Sequence, residues 1–226
     1  MLRYCILAFV IVICPLTTSA QYFDADVNLL IGVPQGDFRD NLDRTAFGIN
    51  GSIAGGPQTS HFEFGLELGI MSYGSDRRRE NFNPNIPEVQ VIVRTDYDIL
   101  TGHFFGRLER PHGLVRPYAD ALVGLNYLFT ESRITDDDEF GEDIASTTNF
   151  DDTTFSYGLG GGLKVKVYQQ GSNKYLVNLK TRYLFGGEAS YLQPGSIQAV
   201  GGNLRFDEST SDTHLLTIHL GMSFKF

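Results

Sequence analysis

Between Leu216 and Phe226 an apolar side chain occupies every second position: Leu216, Ile218, Leu220, Met222, Phe224 and Phe226 alternate with Thr217, His219, Gly221, Ser223 and Lys225. Successive side chains of an extended strand point to opposite faces, so the pattern predicts a strand between an apolar phase and a polar or crowded interior. The alternation recurs upstream. Phe23 to Val33 opposes Asp24, Asp26 and Asn28. Phe47, Ile49 and Ile53 oppose Gly48, Asn50 and Ser52, and Phe62 to Ile70 oppose Glu63, Gly65, Glu67 and Gly69. A fourth run sets Val89, Val91, Val93, Tyr97, Ile99 and Phe105 against Gln90, Arg94, Asp96, Asp98 and Gly102. A fifth sets Val115 and Ala119 to Phe129 against Arg116, Tyr118, Asp120, Gly124 and Asn126. In the sixth, Phe155 to Val167 opposes Ser156, Gly158, Gly160, Gly162, Lys164 and Lys166. In the seventh, Tyr175 to Phe185 opposes Asn178, Lys180 and Arg182.

Turn signals such as Gly55-Gly56-Pro57 and Pro111-His112-Gly113 separate these runs. The connections run medium, short, long, short, long, short, long. Long polar segments lie at Gly74 to Glu88, Glu131 to Asp152 and Gly186 to Asp212. Short connections at one end and long ones at the other predict an all-β, eight-stranded antiparallel up-and-down transmembrane β-barrel with both termini on the short-turn side.

Alternation alone fits equally a soluble lipocalin-like barrel with its apolar side inward. The polar set separates the two. It mixes Gly, Ser and Asn with Glu63, Glu67, Arg94, Asp96, Asp98, Arg116, Asp120, Lys164, Lys166, Lys180 and Arg182, a composition suited to a narrow interior of paired charges. Aromatics at strand ends (Tyr127, Phe129, Phe155, Tyr157, Tyr183, Phe185, Phe224 and Phe226) fit the two interfacial girdles of a membrane barrel.

Residues 1–20 differ in kind. Arg3, the apolar run Tyr4 to Leu16 and Thr18-Ser19-Ala20 read as a secretory signal peptide cut after Ala20, leaving residues 21–226 as the barrel domain. Cys5 and Cys14 both lie in the leader, and Ile13 and Pro15 around Cys14 fit lipid attachment poorly. The mature chain therefore has no disulfide. The chain carries a net charge of -9, and Glu131 to Asp152 holds nine acids against Arg133 alone. An acidic balance argues against nucleic acid as a partner.

On its terminal Leu220-Gly221-Met222-Ser223-Phe224-Lys225-Phe226, and more loosely on Val33-Pro34-Gln35-Gly36-Asp37-Phe38, Arg116-Pro117-Tyr118 and Arg182-Tyr183-Leu184-Phe185-Gly186-Gly187, the mature chain resembles the small outer-membrane β-barrels of Gram-negative bacteria, the OmpA-, OmpX- and OmpW-like porin family. The resemblance implies an outer-membrane location and recognition of Phe226 by the barrel-assembly machinery. It does not fix a function, because one fold hosts many.

Candidate chemistry is sparse. Gly158 to Lys164 lacks the spacing, hydroxyl residue and helix of a phosphate loop and reads as interior glycines. Asp136 to Asp143 fails calcium-loop spacing at Phe140 and reads as a self-repelling acidic loop. Arg77-Arg78-Arg79 suits either lipopolysaccharide phosphates or a solvated charge run. His61, His103, His112, His214 and His219 are scattered without metal-ligand spacing, and Ser211, Asp212 and His214 are adjacent in sequence without triad geometry. The expectation is a non-enzymatic barrel with no catalytic, cofactor or metal site, its lumen filled and its long loops facing outward toward lipopolysaccharide and an unknown partner. A narrow channel for small solutes is the alternative.

Overall fold

The computed structural model describes residues 21–57, 60–83, 86–135, 143–200 and 203–226; the leader 1–20 and most of the acidic run, 136–142, lie outside these. The strands are β1 (Gln21–Pro34), β2 (Ala46–Pro57), β3 (Phe62–Asn83), β4 (Ile86–Glu109), β5 (Val115–Thr135), β6 (Asp143–Gln170), β7 (Asn173–Gly186), β8 (Glu188–Val200), β9 (Asn203–Asp212) and β10 (Leu215–Lys225). A short helix, α1 (Asp37–Leu42), follows β1 and ends at Asp43 in the left-handed conformation, φ 33°.

Eight strands close a barrel in the order β1-β10-β7-β6-β5-β4-β3-β2, every neighbour antiparallel, while β8 and β9 form a separate hairpin. The terminal strand closes the sheet as its pattern demands: it pairs with β1 from Asp24↔Lys225 to Pro34↔Leu215, which removes the free edge. Gln21, Phe226 and the ends of β2, β4 and β6 from which the chain turns at 110–114 and 171–172 lie at one end of the barrel, here the terminal end. The connections bearing α1 and the β8–β9 hairpin lie at the far end.

The expected long loops are largely strand. β3 and β4 stay paired from Phe62↔Leu108 out to Asn83↔Ile86, and β5 and β6 from Val115↔Val165 to Thr135↔Asp143. Two β-ribbons thus extend the wall at the far end, and Arg77, Arg78 and Arg79 stand on the first, opposite Arg94, Val93 and Ile92.

The connection Gly186 to Asp212 is likewise folded. Tyr191 and Leu192 of β8 are fully buried, with Ala189 and Ile197 beside them. They join a cluster that includes Phe38 and Leu42 of α1 and Leu30, Met71, Tyr97, Ile99, Leu128, Leu184 and Leu215 of the barrel's inner wall. Phe38 meets the Tyr191 ring edge-on at 5.0 Å. Tyr73 donates to the Leu192 carbonyl at 3.1 Å, Arg78 to the Ile197 carbonyl at 3.1 Å, and the Ser190 N–H to Asp152 at 2.8 Å. Pro194 seats against Gly74, where a Cβ would collide with the proline ring. The hairpin and α1 therefore fill the far half of the barrel with apolar side chains.

One face assignment is corrected. On β4, Val93, Tyr97, Ile99 and Phe105 point inward and are buried, while Leu100, Phe104 and Leu108 point outward. Arg94, Asp96 and Asp98 lie on the outer side, Arg94 with 60% of its side chain exposed and paired to Asp96 at 2.9 Å. They face none of the cations across the lumen. The reason is that the far half of the lumen is apolar, so β4 meets apolar surroundings on both faces and its alternation loses its sign.

Replacing the fully buried Leu192 by Ala is expected to cost about 2–5 kcal/mol of local stability by opening a cavity. Hydrogen exchange and limited proteolysis across 188–212 should rise while the heat-modifiable gel mobility of the barrel stays unchanged; equal protection in both proteins would mean that the hairpin is not packed into the mouth.

Candidate functional site

Two surfaces carry this protein's chemistry: the outer wall and the terminal half of the lumen. On the wall, the register aligns Leu68 with Gly102, Gly102 with Leu125 and Leu125 with Phe155, so the apolar positions of adjacent strands form a continuous belt. Val27, Leu29, Ile49, Ile53, Leu66, Phe104, Leu159, Leu179 and Leu220 complete it, and Leu68 is 67% exposed. None of these side chains carries charge. Aromatic rings edge the belt at both ends. Tyr127 stacks on Phe129 at 5.3 Å and Tyr157 on Phe185 at 5.2 Å at the far end, while Tyr168, Tyr175 and Phe224 cluster at the terminal end. So large an apolar surface on the outside, with polar groups inside, belongs in a bilayer rather than in water.

The interior is the reverse. Asp24, Asp26, Glu63, Glu67, Glu109 and Asp120 are buried with Arg107, Arg116, Lys164, Lys180, Arg182 and Lys225, six carboxylates to six cations. Each arrives by parity from a barrel strand. Arg107 forks onto Asp120 at 2.8 and 3.2 Å, and Arg182 meets the same carboxylate at 2.6 Å and also pairs with Glu67. Lys180 reaches Glu67 at 2.8 Å. Lys164 pairs with Asp24 and lies 3.4 Å from Glu109. Fork geometry of this kind is what guanidinium supplies and ammonium does not.

A neutral layer lies among the charges. Tyr118 donates to Asn178 at 2.7 Å, Asn178 to Asn28 at 3.3 Å, and Asn28 to Asn50 at 3.1 Å. Arg107 also lies over the Tyr118 ring at 4.2 Å and the Phe105 ring at 5.0 Å. The glycine run of β6 makes room for this: a Cβ at Gly160 would collide with Arg182 Cγ, and one at Gly162 would meet the Tyr118 hydroxyl at 2.5 Å. Gly158, Gly160 and Gly162 are thus interior glycines, as the missing loop signature indicated.

Asp24, Glu63 and Glu109 bring one oxygen each within 4.8 Å of one another, a spacing suited to a cation. Lys225 supplies it: its Nζ lies 3.3, 2.7 and 2.6 Å from the three. The penultimate residue therefore ties β10 to β1, β3 and β4. Sequence reasoning placed Lys225 on the inward face but did not join it to Glu109, because β4's parity was misassigned; Arg107 was missed for the same reason. Lys166 lies at the rim, bonded to Gln169 at 3.0 Å.

The remaining candidates do not converge. His103 bonds Ser156 at 3.1 Å and His219 bonds Thr217 at 3.0 Å, both inside the lumen. The Ser211 hydroxyl is engaged by Tyr191 at 2.9 Å, and His214 packs on Phe185 with ring centroids 5.6 Å apart.

No family model and no curated protein matches the chain. Among solved structures it is similar to Neisserial surface protein A (12% identity, 91% of this chain and 95% of that one, TM-score 0.42). It is also similar to a major outer membrane protein from Thermus thermophilus (12% identity, 92% and 100%, TM-score 0.44). A third is outer membrane protein OprG from Pseudomonas aeruginosa (14% identity, 92% and 97%, TM-score 0.44). The eight-stranded up-and-down barrel expected from the sequence rests on the strand pairing itself.

Lys180→Met leaves the interior one positive charge short, with Glu67 keeping Arg182 alone, and should lower unfolding stability by about 3–5 kcal/mol, whereas Lys180→Met with Glu67→Gln, which keeps the interior neutral, should recover part of the loss. Arg94→Gln, on the outer surface, should stay within about 0.5 kcal/mol of the parent. Urea unfolding of the barrel in vesicles reads all three. An Arg94 effect as large as that of Lys180 would restore Arg94 to the lumen.

Proposed function

We propose that this chain is an integral outer-membrane protein with a closed lumen, whose far end faces out of the cell as an interaction or envelope-stabilising surface. The observation that carries the reading is the conjunction of an uncharged belt edged by aromatics with an interior filled from both ends. The terminal half is filled by paired charges and the far half by the β8–β9 hairpin and α1. A filled interior favours a surface role over passage of solutes. The reading is of a non-enzymatic role, in keeping with Ser211 bonding Tyr191 and His214 packing on Phe185 rather than meeting one another.

On this reading the terminal end lies in the periplasm and the two ribbons project into the lipopolysaccharide layer. Arg77 and Arg79 are exposed there on β3, within reach of lipid phosphates. Phe226, whose N–H bonds the Phe23 carbonyl at 2.9 Å, completes the closing strand, and its ring is offered to the assembly machinery as a terminal aromatic.

Refolded protein in planar bilayers should give no steady conductance. Single-channel steps that shift when Lys180 is neutralised would replace the closed barrel by a narrow channel. For location, the chain should fractionate with outer membranes and show heat-modifiable mobility, and deletion of Phe226 should reduce insertion severalfold. Efficient insertion of the truncated chain would remove the assembly role from Phe226, and full recovery in the soluble fraction would remove the membrane reading altogether.

A further inference from the structure

The terminal mouth holds a cavity that the closed-barrel reading leaves without a task. Its volume is about 260 Å³, and it lies between the turns 110–114 and 171–172 and the end of β10. Arg116, Lys174, Lys225, His112, Ser172 and Gln169 line it. Lys174 and Lys225 are direct cross-strand partners on β7 and β10, so two ammonium groups stand side by side. Like charges in that position are destabilising unless something negative lies between or beside them.

Lys225 has its counter-charges in Asp24, Glu63 and Glu109. The Lys174 side chain has no hydrogen bond or ion pair among the described residues, and neither have those of Ser172 and His112. Arg116 spends one guanidinium nitrogen on the Gly113 carbonyl at 3.4 Å and another on Glu109 at 3.8 Å, which leaves its third for the cavity. No side-chain acid offers a remedy: Asp24, Glu63 and Glu109 are all buried in the network above, and the connections 58–61, 110–114 and 171–172 contain none. The Phe226 main-chain oxygen, at the edge of the cavity, accepts the Phe23 N–H at 3.4 Å.

We infer that this cavity binds a phosphate-bearing anion, with Lys174 and Arg116 as its charged contacts and Ser172 and His112 as further donors. Two cations flanked by a hydroxyl and an imidazole suit a compact oxyanion with several acceptor oxygens, and the volume leaves room for a substituent on the phosphate. The same chemistry is presented by a free phosphate compound and by the headgroup of an anionic phospholipid at the rim, where Tyr168, Tyr175 and Phe224 form the adjacent aromatic edge.

The test uses the full barrel folded in a non-ionic detergent, titrated with inorganic phosphate while the amide resonances of Ser172 and Lys174 are followed, and then in phosphatidylcholine vesicles with and without phosphatidylglycerol. Shifts with inorganic phosphate identify a soluble phosphate compound as sufficient; shifts only with phosphatidylglycerol identify the headgroup. Either supports the site. Lys174→Glu, half-exposed and without protein partners to lose, should weaken binding by about tenfold or more, as expected for losing and reversing one charged contact. Arg39→Gln at the far end should bind as the parent does. No shift with either probe, or unchanged binding by Lys174→Glu with normal heat-modifiable mobility, overturns the proposal. The cavity belongs to the barrel whatever membrane holds it, so either failure leaves the outer-membrane reading standing, and loss of that reading leaves the phosphate titration valid.

Discussion

Charge neutrality inside a closed cylinder is the condition on which this structure depends. Moving one carboxylate from water to a medium of low dielectric costs on the order of 20 kcal/mol in the idealised limit, and several kcal/mol after relaxation. Twelve such groups are buried here. They coexist because they are matched six to six and because most touch more than one counter-charge; Lys180 and Arg116 each meet one carboxylate. Asp120 holds two guanidinium groups, Glu67 a guanidinium and an ammonium, and Lys225 three carboxylates. The contacts also run between strands distant in sequence. Lys225 on the closing strand reaches residues contributed by β1, β3 and β4, so the network favours the closed barrel over any partly assembled sheet, in which these charges would lack counter-ions.

The far half of the lumen meets the packing problem with different means. There the inner wall carries Leu30, Met71, Tyr97, Ile99, Leu128 and Leu184, and an apolar wall in an open mouth would be left to water. The chain covers it with its own connections: Phe38 and Leu42 from the β1–β2 link, and Ala189, Tyr191, Leu192 and Ile197 from the β7–β10 link. Only a few polar contacts hold these pieces, among them Tyr73 to Leu192 and Arg78 to Ile197. The charged half is therefore an integral part of the wall. The apolar half is a plug of local chain, held by burial and outside the barrel's own hydrogen-bond ladders.

That division explains what was legible in the sequence. Where the lumen is polar, alternation reads correctly: Asp24, Glu67, Asp120, Lys164, Lys180, Arg182 and Lys225 all point inward as their parity demands. On β4 the same rule failed. Ile99 next to Leu100, and Phe104 next to Phe105, are apolar on both faces, because one faces lipid and the other the apolar far lumen or, at Phe105, the guanidinium groups of Arg107 and Arg182 stacked over the ring. The polar residues Arg94, Asp96 and Asp98 then set the wrong sign, since they belong to a ribbon that has already left the belt. The β8–β9 hairpin was hidden differently. Pro194 and Gly195 break its pattern, the register shifts between Leu192 and Ile197, and its buried residues are too few to show a period. Tyr191-Leu192 within a polar stretch was the available signal.

Because the lumen charges cancel, the charge of -9 resides outside it. At the far end Asp37, Asp40, Asp43, Asp151, Glu188, Asp207, Glu208 and Asp212 are exposed beside Arg39, Arg44, Arg77, Arg79, Arg94 and Arg133, while Arg110 is exposed and Lys174 half-exposed at the terminal end. Among the described residues the far end therefore carries a modest excess of acids and the terminal rim an excess of cations. A uniform coat of charge would present the same potential at both ends; this separation does not. An acidic far surface repels other anionic surfaces except through specific arginines such as those on β3, or through bridging divalent cations. A basic rim of this kind raises the local concentration of small anions whatever their identity.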